Sequence, residues 1–101
     1  MITQTEALQA AVVVLRDALV EANESMPKYA HPLLSKDFTE RQLYAILVLR
    51  RFLKIDIQAV MRELADSPDL CEVLGLERIP DYATLFHAEE RLVRKGFLEK
   101  A

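Results

Sequence analysis

Apolar side chains recur along the first quarter of the chain at the spacing of one helix face. They are separated by steps of four, three, four and three residues: Leu8, Val12, Leu15, Leu19 and Ala22. This spacing predicts an amphipathic helix over residues 3–25. Three further valines widen its apolar face, so we expect other helices or a second copy of the chain to cover it. A dimer contact would then use Leu8, Val12, Leu15 and Leu19.

A second helix is marked by the residues around its start. Thr39 is a good N-cap, and Gln42 three positions later completes a capping box. Phe38 and Leu43 are spaced for a hydrophobic staple across that cap. The following residues are apolar almost all round as far as about Lys54, which indicates a central core helix.

Three shorter helices are predicted beyond it. Asp56 is placed to cap the third helix, whose apolar positions fit an i, i+3, i+4, i+7 pattern. Ser67 followed by Pro68 predicts the start of a short fourth helix, which Gly75 ends. Asp81 is placed to cap a fifth helix. That helix runs from about Tyr82 to Lys95, with Gly96 as its stop.

The pattern therefore predicts an all-α fold, a single compact domain of about five helices with a helix-turn-helix-like C-terminal half. No stretch alternates apolar and polar residues as a half-buried strand does. The predicted parts are an N-terminal amphipathic helix that serves the core or dimerisation, a proline-containing connector, the helix-turn-helix-like domain and a tail: residues 1–26, 27–37, 38–96 and 97–101.

Composition agrees with one small globular domain. The 101 residues are 51% apolar and 29% charged, with a single cysteine, which excludes an internal disulfide and a cysteine metal cage. The longest apolar run near the start, residues 10–15, is far short of the roughly 20 residues of a membrane helix. We expect a cytoplasmic protein without membrane contact.

Charge is unevenly distributed, although the formal net charge is only −3. Residues 1–40 and 66–82 are acidic, whereas 41–65 and 83–101 are net basic. The acidic total argues against strong non-specific nucleic-acid binding. The two basic blocks still leave room for a local cationic face.

The fifth helix has two predicted faces. We expect Leu85, Phe86, Leu92 and Val93 to pack inward. The opposite side carries a hydroxyl, an imidazole and three cations: Thr84, His87, Arg91, Arg94 and Lys95. Such a helix is suited to a DNA major groove, with its first residues at base edges and its later cations at phosphates. The other interpretation is a solvated face with local pairs such as Glu90 with Arg94.

The end of the second helix carries another basic cluster, formed by Arg50, Arg51 and Lys54. As a functional site it would hold DNA phosphates. As a structural feature it complements the negative end of the helix dipole. Both interpretations stay open.

Little in the chain indicates catalysis or metal binding. Helix capping accounts for Asp56 and Asp81, and Cys71 lies among apolar residues as a small buried side chain does. With two glycines, a glycine-rich phosphate loop is excluded. We expect no cofactor, no metal, no small-molecule substrate and no catalytic residue.

Four stretches resemble the N-terminal region of bacterial insertion-sequence transposases of the DDE class. They lie in order within residues 31–93, about two thirds of the chain: Phe38–Leu43, Leu47–Asp56, Glu63–Leu76 and Ile79–Leu85. In that family the region is helical, precedes the catalytic domain and helps to bind the element's terminal repeats. The family often has a basic residue where this chain has His87, and acidic Glu89 and Glu90 follow closely.

The resemblance implies a DNA-binding domain of a transposase, associated with the bacterial nucleoid and lacking the catalytic domain. Its partner would be double-stranded DNA at insertion-sequence ends. Because transposases act as multimers on paired ends, the resemblance also implies a homodimer. The alternative is a helical protein-interaction or oligomerisation module that no longer binds DNA. Salt-dependent DNA affinity separates the two, since phosphate contacts release counterions.

Overall fold

α-Helices are the only regular secondary structure in the residues that the computed structural model describes, 4–26 and 38–100. The five helices form one globule: α1 Gln4–Ser25, α2 Glu40–Leu53, α3 Ile57–Asp66, α4 Pro68–Leu74 and α5 Tyr82–Arg94. The predicted all-α fold of five helices is confirmed. The predicted connector over residues 27–37 lies outside the described residues. None of the five helices is long and apolar enough to cross a membrane.

The capping residues set the helix starts as predicted. The Thr39 hydroxyl accepts a hydrogen bond from the Gln42 backbone N–H at 3.1 Å, and the Gln42 side chain accepts one from the Thr39 N–H at 2.9 Å. Asp56 and Asp81 cap α3 and α5 through bonds of 2.8 Å from the backbone three residues on. Each cap satisfies a backbone donor that has no partner inside its helix.

The start of α4 differs from the prediction in one detail. Ser67 occupies the N-cap position, but its side chain makes no capping hydrogen bond. Its backbone carbonyl instead accepts from the Leu70 N–H at 3.1 Å, and Pro68 at the first helical position needs no acceptor. Gly75 ends the helix in the left-handed region, at φ +70°, where a side chain would be strained.

The core is built around α2. Five of its side chains are fully buried: Leu43, Ala45, Ile46, Leu47 and Leu49. α1 makes its most extensive contact with α2. The buried side chains of α1 and the residue after it are Ala11, Leu15, Ala18, Ala22 and Met26. Three of these five are alanines, whose small side chains allow neighbouring helices to pack closely.

Polar side chains tie α1 to α2. The Tyr44 hydroxyl donates to Glu21 at 2.9 Å, and burial together with this carboxylate raises the pKa of Tyr44 to about 12. Arg41 donates to the Met26 carbonyl at 2.9 Å. The last turn of α1 is therefore held by hydrogen bonds as well as by apolar packing.

The structure of the C-terminal residues differs from the predicted one at Phe86 and beyond the end of α5. Leu85, Ala88 and Leu92 are fully buried on α5, but Phe86 is 42% exposed, so its predicted inward position is wrong. The buried face of α5 is therefore narrower than the number of its apolar residues suggests. Beyond α5, where a tail was predicted, Phe97 packs against the core and Leu98 lies within it.

Candidate nucleic-acid interface

Ion pairs hold α5 against both ends of α2. Glu40 at the start of α2 pairs with Arg91 of α5 at 3.0 Å, and Arg50 near the end of α2 pairs with Glu89 at 2.8 Å. Glu40 and Arg50 are ten residues apart, about 15 Å along a helix. Glu89 and Arg91 lie only two residues apart, on opposite flanks of α5, so one turn of α5 pairs with both ends of α2.

The Glu40 carboxylate is the centre of the first ion-pair cluster. Glu40 is buried, with 5% of its surface exposed. Arg91 donates to its two oxygens through Nη2 at 3.0 Å and Nε at 3.4 Å, and the Lys95 ammonium lies 3.9 Å away. A negative charge in the first turn of α2 also complements that helix dipole. Arg91 and Lys95 are thus directed at α2.

Glu89 is the centre of the second ion-pair cluster. Arg50 donates to it through Nε at 3.1 Å and Nη2 at 2.8 Å, and its Nη1 donates to the Ile55 carbonyl at 2.8 Å. The Arg51 Nε lies 3.6 Å from the same carboxylate, while its Nη1 donates to the Glu99 carbonyl at 2.6 Å. Arg50 and Arg51 therefore hold α5 and the C-terminal segment against the end of α2.

The predicted base-contacting residues have different environments. Thr84 is half-buried, and hydrogen bonds from its side chain and its backbone N–H lower the pKa of Asp81. The His87 side chain is 68% exposed and lies 3.7 Å from Glu90. Thr84 therefore serves the helix cap, whereas His87 faces solvent.

Two predicted phosphate contacts are exposed cations. Arg94 ends α5, and Lys54 follows α2 in the left-handed conformation with φ 58°. Within residues 4–26 and 38–100, neither cation has a carboxylate partner. The predicted local pair of Glu90 with Arg94 does not form there, because Glu90 lies beside His87.

An exposed aromatic stack extends the outward face of α5. Tyr82 and Phe86 stack with their ring centroids 6.0 Å apart, and the His87 ring stands edge-on to Phe86 at 5.5 Å. Tyr82 is 47% exposed. This stack is not among the sequence-based predictions, although the sequence contains its signal, two aromatic residues four positions apart on one helix.

Beyond the aromatic stack, the same outward side of α5 borders an open depression of about 410 Å³. Three cations line it, Arg51, Arg94 and Lys100, together with Glu89 and Glu90. Glu89 is already neutralised by Arg50. Lys100, which is not among the predicted DNA contacts, thus joins Arg94 in a locally cationic depression.

The residues predicted for dimerisation face the chain's own core. Leu15 is completely buried, and Leu8, Val12 and Leu19 are half-buried and packed against the core cluster. The large apolar side chains of α1 that are exposed in the described residues are Val13 at 56% and Val20 at 55% exposure. Leu15 is therefore not a free surface, whereas Leu8 and Val12 also border open depressions beside α4.

Groups of three or more histidine, cysteine or acidic side chains placed to hold a metal ion do not occur in the described part of the chain. Cys71 donates to the Leu64 carbonyl with Sγ at 3.3 Å, and burial raises the pKa of its thiol. Comparison with protein-family models, with curated proteins and with solved structures finds no match to this chain.

Proposed function

We propose that this chain is a DNA-binding domain that contacts duplex DNA through the outward side of α5. The observation that supports it most directly is the arrangement along that side. Exposed aromatic and imidazole rings occupy the first turns. Arg94, which has no carboxylate partner among the described residues, follows with Lys100 beside it. In a groove-binding helix, side chains that reach base edges read the sequence, and cations that contact phosphates position the protein. The rings and the cations of α5 are suited to these two roles.

Internal ion pairing changes the predicted contact set. His87, Arg94 and Lys54 remain available, Lys100 is added, and Phe86 offers a ring face. Arg50, Arg51, Arg91 and Lys95 become positioning residues that hold α5 against α2. With few free cations, we expect weak binding with a shallow salt dependence, because the slope of log affinity against log salt scales with the number of phosphates contacted.

The resemblance to transposases gives this proposal its biological setting. The DNA would be the terminal repeats of an insertion sequence, and the protein would act in the bacterial cytoplasm at the nucleoid. Pairing of two ends would require two copies. No cofactor is needed for binding, and the chemistry of strand transfer would belong to a catalytic domain outside these residues.

The test is an anisotropy titration of a labelled mixed duplex pool at two salt concentrations, ~50 mM and ~200 mM. We expect the double variant Arg94→Ala/Lys100→Ala to bind about tenfold more weakly and to lower the salt slope by about two. The control, Arg16→Ala/Arg62→Ala, removes the same charge from exposed positions on α1 and α3. Equal losses in both doubles would reduce the effect to net charge, and no binding by the wild type at low salt would overturn the proposal.

The second candidate is a protein-interaction or oligomerisation module. It is favoured by the internal pairing of four predicted DNA contacts and by the net charge of −3. It predicts no salt-dependent DNA affinity together with concentration-dependent sedimentation of the chain alone or with a protein partner. The same titration, run beside a sedimentation series, separates the two candidates.

A further inference from the structure

Two adjoining grooves flank Leu8 on the side of the molecule formed by α1, α3 and α4. One lies between the first half of α1, the end of α2 and the end of α3, and the other lies between α1 and α4. Each has a volume of about 590 Å³. The apolar side chains that line them include Leu8, Val12, Val13, Leu53, Leu70 and Val73. Together they form one surface, named here the α1–α4 groove.

The α1–α4 groove has an acidic rim. Glu63 and Asp66 line its first part, and Asp69 and Glu72 line its second. Within the described ranges none of these four side chains has a hydrogen bond or an ion pair. Arg16 is the one cation among the described lining residues.

Two of these carboxylates are placed against the electrostatics of their own helix. Glu63 and Asp66 lie at the C-terminal end of α3, and no basic residue occupies its last turn. That end carries the negative pole of the helix dipole, where acidic side chains destabilise a helix. Asp66 also precedes the N-cap of α4, where a negative charge complements that helix dipole. The position of Glu63 has no such compensation, and a bound cation would offset it.

We propose that the α1–α4 groove binds a cationic amphipathic helix of a partner protein. The apolar floor would receive the aliphatic face of that helix, and the acidic rim would receive lysine or arginine on its flanks. The groove follows α1 from Ala7 to Arg16, about 14 Å, which matches two to three turns of a partner helix.

A second copy of this chain is the less suitable occupant. Two-fold pairing would place the same patch on both subunits, so acidic rim would meet acidic rim at a repulsive cost. Head-to-tail pairing with the basic end of α5 would leave an unpaired groove on each added copy and build an open assembly. The proposal does not rest on DNA binding, because the two surfaces share no lining residue.

The probe is a labelled helical peptide with leucine on one face and lysine on the other, titrated against the full chain. A peptide with glutamate in place of lysine is its counterpart. We expect Glu63→Gln/Asp66→Asn to weaken binding of the lysine peptide about tenfold at ~50 mM salt. The matched control, Asp17→Asn/Glu24→Gln, changes the charge equally at exposed α1 positions outside the groove and should change the Kd less than about twofold.

A second pair of variants tests the apolar floor without threatening the fold. Val13 lines the groove and Val20 does not, yet they are 56% and 55% exposed on the same helix. We expect Val13→Ser to weaken peptide binding about threefold and Val20→Ser to leave it unchanged.

Three results would overturn the proposal. They are equal loss in the test and control variants, equal binding of the glutamate peptide, and self-association of the chain that Glu63→Gln/Asp66→Asn abolishes. The last result would assign the groove to a second copy.

Discussion

The contact between α2 and α5 differs from the α1–α4 groove in how its carboxylates are paired. At this contact, Glu40 and Glu89 each meet two cations and are partly or fully withdrawn from solvent. Around the groove, four carboxylates have no such partners among the described residues. The comparison separates charges that hold the fold together from charges that remain available to another molecule.

The largest effect should come from removing the buried ion pair between Glu40 and Arg91. Glu40→Gln leaves Arg91 without its carboxylate in a site where 19% of the arginine side chain is exposed. We expect it to lower the free energy of unfolding by about 2 kcal/mol, because a desolvated cation loses its counter-charge. The measurement is urea denaturation. Glu72→Gln, on the groove rim, is the control and should stay within about 0.5 kcal/mol of the wild type. Similar losses in both would remove the distinction.

A smaller effect should come from Tyr44, whose hydroxyl engages a carboxylate of α1, Glu21. The pKa of Tyr44 is raised from 10.0 to about 12, so its contribution to stability is complete below pH 10. That contribution is lost as the pH rises toward 12.

Tyr44→Phe should cost about 1 kcal/mol at neutral pH through the lost hydrogen bond. It should also flatten the stability profile between pH 10 and about 12. Thermal unfolding of both proteins across this interval is the check, with Tyr82→Phe, an exposed tyrosine on α5, as the control. Parallel profiles for wild type and Tyr44→Phe would contradict the assignment.

The smallest effect is expected at Asp81, an exposed carboxylate that caps α5. Hydrogen bonds from the Thr84 side chain and backbone lower the pKa of Asp81. Its stabilising contribution is therefore present above the pKa of the unfolded chain and is lost as the pH falls below it. Asp81→Asn keeps an N-cap acceptor but should remove this part of the acid dependence. Acid titration followed by circular dichroism tests this, with Asp69→Asn as control. An unchanged acid midpoint in Asp81→Asn would count against a charge-dependent cap.

The helix boundaries could be predicted because their causes are local. Thr39, Asp56 and Asp81 each bond to a backbone N–H three residues away, and Gly75 supplies a left-handed stop. Such interactions involve only a few consecutive residues, so capping rules identify them directly from the sequence.

The state of the candidate site could not be predicted in the same way. Arg91 finds Glu40 across 51 positions of sequence, and Arg50 finds Glu89 across 39. Nothing local distinguishes these arginines from the exposed Arg94. The apolar character of Phe86 predicts an inward position, although consecutive residues such as Leu85 and Phe86 point about 100° apart on a helix. The buried side chains of α5 are Leu85, Ala88 and Leu92, which form one narrow stripe that does not include Phe86.

Gln42 links the beginning of one helix to the end of another. Its amide accepts from the Thr39 N–H and donates to the Leu74 carbonyl at 2.9 Å. Fraying of the first turn of α2 therefore releases the last carbonyls of α4 at the same time. The two helix ends form one cooperative unit, so their backbone amides exchange hydrogen with solvent through a shared opening rather than independently.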